Sequence, residues 1–202
     1  TLSADVFRTL RNPRILGIAI ELLDAKSIQD MQELTVGRLL FEHVRQCERT
    51  GASTLSGFTF AKTLQNLAKD VVERLKNQQL DDLRLVDTNL NERIRTVSSS
   101  RFFKAISEDP DLYEIEEEGL QLALGLWLVS ALHADLRNNR SPSERLGVVL
   151  DPIGALDMTT EVVAYATEIV CLREPCPLPV ASALIRSFVS LQNASTIRPE
   201  AL

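Results

Sequence analysis

The sequence predicts a mainly α fold with one small β element. Three observations predict it. Apolar residues recur at helical spacing along most of the 202 residues. One short stretch, "LYEIEEEG", alternates instead, as a strand does. Turn-forming clusters, "ERTGASTLSG", "EDPD" and "REPCPLP", separate the periodic segments.

The first helix is "PRILGIAIELL", Pro13 to Leu23, apolar nearly all round as a buried helix is. Pro13 suits the first helical turn, where its missing N–H costs nothing. Thr35 then reads as an N-cap, followed by the stripe Val36, Leu40, Val44 and Cys47. Beyond the linker Glu48–Gly57, the residues Phe60, Leu64, Leu67, Ala68, Val71 and Leu75 form the cleanest amphipathic stripe in the chain. Asp87 or Thr88 can cap a short helix carrying Leu90, Ile94 and Val97. "SSSRFFKAI" reads as another short helix, closed by the turn "EDPD". The strand Leu112–Glu116 follows, and from Leu120 the period becomes helical through Trp127 to Leu136.

Ser141-Pro142-Ser143-Glu144 matches a capping box with proline at the first helical position. "LDPIGALD" leads into two last helices, roughly Met158–Leu172 and Pro179–Leu191, joined by a short turn and therefore antiparallel. One helix pair cannot bury both its faces, so further helices are expected to stack on it, as in α-solenoids.

Composition bounds the chemistry. With 45% apolar and 25% charged residues this is an ordinary globular chain. A net charge of −6 argues against a general nucleic-acid binder, although a local basic face is compatible with it. Cys47, Cys171 and Cys176 are an odd set with no framework spacing, which fits a reducing, cytoplasmic setting. Cys171 and Cys176 flank "LREP" with no histidine at metal-ligand spacing, so no metal site is read here. The longest apolar run, "LQLALGLWLVSAL", falls short of a membrane span and fits a buried core helix. No signal peptide opens the chain, and no membrane role is expected. A chain that starts at Thr1 in mid-pattern reads as an internal piece of a longer protein.

No catalytic residue stands out. Glu114 and Glu116 alternate to one face of a short strand, where they read, with Glu117 and Glu118, as a solvated surface and not as a cation site or acid–base pair. His43 and His133 have no serine, cysteine or aspartate at a spacing that marks a nucleophile. Phosphate loops of the GxxxxGK[ST] and GxGxxG kinds are absent. The segment order around the strand is that of a winged helix-turn-helix, with Arg93, Arg95, Arg101 and Lys104 able to meet phosphates. The interleaved Asp81, Asp82, Asp87 and Glu92, and a would-be wing reading "EIEEEG", oppose DNA binding.

"LSADVFRTLRNPRILGIAIELL" and "ELTVGRLLFEHV", followed by the winged-helix-like order and a helix pair, resemble the middle of a STAND-class (NACHT-like) signalling P-loop ATPase. The resemblance implies a helical lid over residues 1–50, a winged-helix-like domain over 57–138, and over 141–202 an α-helical hairpin that starts a solenoid. It implies a non-enzymatic chain with no cofactor of its own, while the full-length parent binds ATP or ADP. In that family a lid proline contacts the adenine, and Asn12-Pro13 matches that place. A winged-helix histidine there often touches the phosphates near the strand-to-helix turn; here that turn reads Glu116-Glu117-Glu118-Gly119. The partners implied are an upstream nucleotide-binding domain, downstream helical repeats, and other copies of the protein when it oligomerises. The alternatives are a winged-helix DNA-binding regulator and a helical scaffold of a large assembly.

Overall fold

A computed structural model describes residues 8, 10–24, 35–51, 60–87, 101–107, 109–173 and 175–196. The fold is mainly α with a three-stranded antiparallel sheet. The chain forms two compact units, one of Thr1–Leu64 with Asp82–Leu120, the other of Gln65–Asp81 with Gln121–Leu202.

In the first unit, α1 (Pro13–Asp24) starts at an N-cap asparagine. Asn12 Oδ1 accepts from the Arg14 N–H at 3.0 Å, satisfying one of the free donors of the first turn. Ile15, Ile18, Ala19 and Leu22 are buried, but Leu16, Ile20 and Leu23 are 43%, 49% and 41% exposed. The expectation of a helix buried all round is therefore corrected: α1 has two apolar faces, and among the described residues only one is buried. α2 (Val36–Gly51) begins where the sequence predicts, with Thr35 Oγ1 accepting from the Arg38 N–H at 3.2 Å. α1 packs on α2.

α3 (Phe60–Lys76) buries all six residues of its predicted stripe. Its first residues, to Leu64, belong to the first unit and the remainder to the second. The helix expected over 88–97 lies outside the described residues. The sheet consists of β1 (Leu85–Asp87), β2 (Phe103–Ile106) and β3 (Asp109–Ile115), in the order β1-β3-β2. Val86 pairs with Tyr113, and Phe103 with Ile115. The expected helix over "SSSRFFKAI" is thus a correction, because its second half is an outer strand of the sheet. "EDPD" does not close a helix either, since Ile106 pairs with Asp109 in the β2–β3 hairpin and β3 starts at Asp109. The hairpin tip, and not "EIEEEG", is where a wing would project.

α4 (Glu117–Arg137) follows directly, with Glu117 and Glu118 in its first turn, where carboxylates complement the helix dipole. From Gln121 onward it belongs to the second unit. It is buried well beyond its predicted stripe, since Leu122, Leu126 and Val129 are as enclosed as Leu124 and Leu128. By length and composition its 21 residues are apolar enough to cross a membrane, which the 13-residue apolar run alone is not. Two thirds of that window, 67%, is buried inside the fold, as in a core helix. Asn139, at φ 56°, stops the helix in the left-handed conformation that asparagine tolerates.

α5 (Pro142–Leu150) has Pro142 in its first turn as expected, but Ser141 makes no side-chain capping bond. A 3₁₀ helix, Asp151–Leu156, leads to α6 (Thr159–Cys171) and α7 (Leu178–Thr196). α6 and α7 form the predicted hairpin, and α5 packs on α7. Val180 and Leu184 are buried, whereas Leu178, Ile185 and Val189 are 72%, 45% and 51% exposed. Gly125 of α4 lets that helix meet α6 closely, since a Cβ there would sit 3.2 Å from the Ala166 backbone nitrogen.

Candidate functional site

Asn12 and Pro13, the pair matched to an adenine contact, stand at the base of α1. Pro13 is exposed and Asn12 half-buried. Asn12 is already engaged: its Oδ1 caps the helix and its Nδ2 donates to Glu118 Oε1 at 3.3 Å. Arg14 joins Glu116 at 2.5 Å, and Arg84 reaches Glu114 at 3.2 Å and Glu116 at 3.8 Å. The acidic run is therefore not simply a solvated face. Glu116, Glu118 and Glu114 hold side chains from the start of α1 and from just before β1. The hydrogen bond from Arg14 holds the Glu116 carboxyl below its usual range, with Arg84 and Lys104 adding to that. Among the described residues no group of three His, Cys, Asp or Glu is arranged to hold a metal ion.

One of the cations that could have met DNA is committed elsewhere, and a second stands across from a carboxylate. Arg101 pairs with Glu21 at 2.5 Å, its guanidinium 2.7 Å from where a Cβ on Gly17 would be. Lys104 stands opposite Glu114 in the β2–β3 register. Arg93 and Arg95 lie outside the described residues. Asp109 and Asp111 sit at the start of β3, beside the hairpin tip, where cations would be needed to approach phosphates.

His43 and Cys47 form a contact that sequence spacing alone did not flag. One turn apart on α2, they bring His43 Nε2 to 3.7 Å from Cys47 Sγ. The geometry resembles a thiol–imidazole nucleophile, but both ionisations run the wrong way. Burial pushes the His43 imidazole down to about 4, and the Cys47 thiol up to about 11. An activated pair needs a low thiol and a protonated imidazole. His43 is 4% exposed and meets Phe102 edge-on, with ring centroids 5.3 Å apart. Phe60 packs on the same Phe102 ring. This is core.

His133 is different. Ser130, His133 and Arg137 recur at i, i+3 and i+7, one face of α4. Gln65 of α3 and Arg173, two residues beyond α6, complete the lining of a cavity of about 280 Å³. His133 Nε2 is buried there without a hydrogen-bond partner. Burial, then Arg173 and Arg137, lowers the His133 imidazole from its usual range, and burial also lowers Arg173. Among the described residues no carboxylate lines the cavity. The sequence shows at His133 only the lack of a nucleophile spacing; the signal that could have pointed to this cavity is the polar triplet Ser130, His133 and Arg137 on one face of a largely apolar helix.

Cys171, exposed, and Cys176, half-buried, approach one another at the α6–α7 turn, with burial and then Cys176 raising the Cys171 thiol. No protein-family model, curated protein or solved structure matches this chain.

Proposed function

We propose that this chain is a non-catalytic transmission and protein-interaction region of a larger signalling ATPase. In this reading α1 receives the nucleotide-binding domain of the same protein, which carries the ATP or ADP. The observation that carries the proposal is the uncovered apolar row on α1, Leu16, Ile20 and Leu23, with exposed Pro13 at its base. An apolar row of this kind is a surface for a partner. At its base the same helix is tied to the β3–α4 junction through Asn12–Glu118 and Arg14–Glu116. A partner that tilts α1 therefore strains or releases two polar contacts at the start of the longest apolar helix. That is the kind of two-state element that a switch requires.

Two further features support the reading. The sheet order β1-β3-β2, entered after α3, is that of a winged helix, and the acidic surroundings of its hairpin tip suit protein contact better than DNA. On α7, Leu178, Ile185 and Val189 remain open to a following repeat, as in a stacked array.

The test begins with the coding sequence upstream of Thr1. A GxxxxGK[ST] loop there is expected; its absence sinks the ATPase reading and leaves the helical scaffold. In the full-length protein, Leu16→Asp with Ile20→Asp is expected to weaken ADP retention by about tenfold or more, each buried apolar residue contributing about 1.5–3 kcal/mol to the interface. Unchanged nucleotide affinity would overturn the role given to α1.

A further inference from the structure

We propose that the cavity lined by Gln65, Ser130, His133, Arg137 and Arg173 binds a dianionic phosphoryl group carried by a small molecule. The inference does not depend on the reading of α1, because every residue it uses lies in the second unit.

The first argument is charge. The chain carries a net −6, yet two guanidinium groups and an imidazole line one cavity with no carboxylate among its described residues. Two other arginines of the second unit, Arg140 and Arg145, are paired, both reaching the buried Asp135 at 3.4 Å. A cation near a helix C-terminus is ordinary dipole compensation, and Arg137 in the last turn of α4 is partly that. Dipole compensation does not explain why Arg173 is half-buried beside a second guanidinium, where burial and like charge both oppose it.

The second argument is unmet bonding. His133 Nε2 is enclosed and has no partner. Ser130 and Gln65 add neutral groups able to donate hydrogen bonds. Guanidinium forks match the oxygens of phosphate and carboxylate in pairs. Two fixed cations and an imidazole that can gain a proton favour a dianion over a carboxylate. The volume, about 280 Å³, is at the small end of ligand pockets, which run from roughly 300 Å³ upward. It suits a phosphoryl group with a short carrier.

The proton balance follows. Without ligand, burial first and then Arg173 beyond α6 and Arg137 on α4, the charged groups that face His133 among the described residues, favour the neutral ring. A bound dianion offsets them, so the imidazole gains a proton more readily and its midpoint rises.

The experiment uses the chain of residues 1–202. The two histidines, His43 and His133, make ring proton resonances easy to assign. Inorganic phosphate, glycerol 3-phosphate and acetate are titrated separately at constant ionic strength, and the His133 ring is followed through pH with and without phosphate. Saturable binding of phosphate or its ester is expected, with acetate about tenfold weaker and the His133 midpoint displaced upward. Saturation by the ester alone identifies the source as an organic phosphate; saturation by both admits the free ion. Arg137→Gln, at an exposed position, keeps the fold and is expected to weaken binding by about tenfold; Arg173→Gln is expected to do the same. No saturable response by any of the three, acetate binding as well as phosphate, or a full response in R137Q would each overturn the proposal. Should R173Q fail to fold, R137Q and the His133 midpoint decide it.

Discussion

His43 sits against Phe102 with its Nδ1 unpartnered, and burial lowers its imidazole to about 4. The unfolded chain binds its proton near 6.5. Between those two values the unfolded state holds the extra proton, so stability rises with pH across the window and is lost as pH falls through it. From pH 7 to pH 5 this single group is expected to remove about 2 kcal/mol. Chemical denaturation of the native chain and of His43→Leu at both pH values checks this. The leucine variant should lose most of that difference, and an equal pH dependence in both proteins would show that the histidine is not its source. His133 lies in the same direction of shift for a partly different reason, since two arginines face it. Burial is the first cause for both histidines, and the arginines add to it at His133.

At the scale of elements, α4 depends on Gly125. A Cβ added there meets the Ala166 backbone nitrogen and Tyr165 Cβ, both at 3.2 Å, and a backbone cannot swing away as a side-chain tip can. Gly125→Ala is expected to be near neutral, because the roughly 1 kcal/mol gained in helix propensity offsets the squeeze. Gly125→Leu is expected to cost about 1–3 kcal/mol from overpacking, read as a lower thermal midpoint; a leucine variant as stable as the native chain would mean that α4 and α6 part easily. Such elements differ in how plainly the sequence announces them. α3 was legible to the residue, because its apolar spacing is itself the cause of its burial. β2 was not, because "RFFKAI" carries no local period that selects a strand, and its hydrogen bonds come from β3. β1 is three residues, too short for any period. The second apolar face of α1 is not legible as exposed, since composition counts apolar residues without revealing which have a partner in the chain. Of the cavity around His133, only the triplet on α4 is written at helical spacing. Gln65 and Arg173 arrive from distant parts of the chain.

At the scale of the molecule, both units are assembled from separated stretches. Linear reading divides the chain near residues 138–141, where "NNRSPSE" looks like a boundary. In the structure the second unit joins Gln65–Asp81 to everything after Leu120. A piece ending at Arg140 would strip α6 from α4 and leave the Gly125 face uncovered. It is expected to bind a hydrophobic dye and to melt without a cooperative transition, whereas a sharp melt at the native midpoint would show residues 1–140 to be a domain. The sheet adds a constraint in time. Its central strand is the last of the three to be synthesised, so β1 emerges from the ribosome with no partner and waits until Tyr113 and its neighbours follow. At about 5–20 residues per second that wait is on the order of seconds, against microseconds for the β2–β3 hairpin to close. For that interval a nascent chain carries an unpaired β edge past every other chain on the same message. Three residues offer a stray strand few bonds to hold, so the brevity of β1 acts as protection during translation.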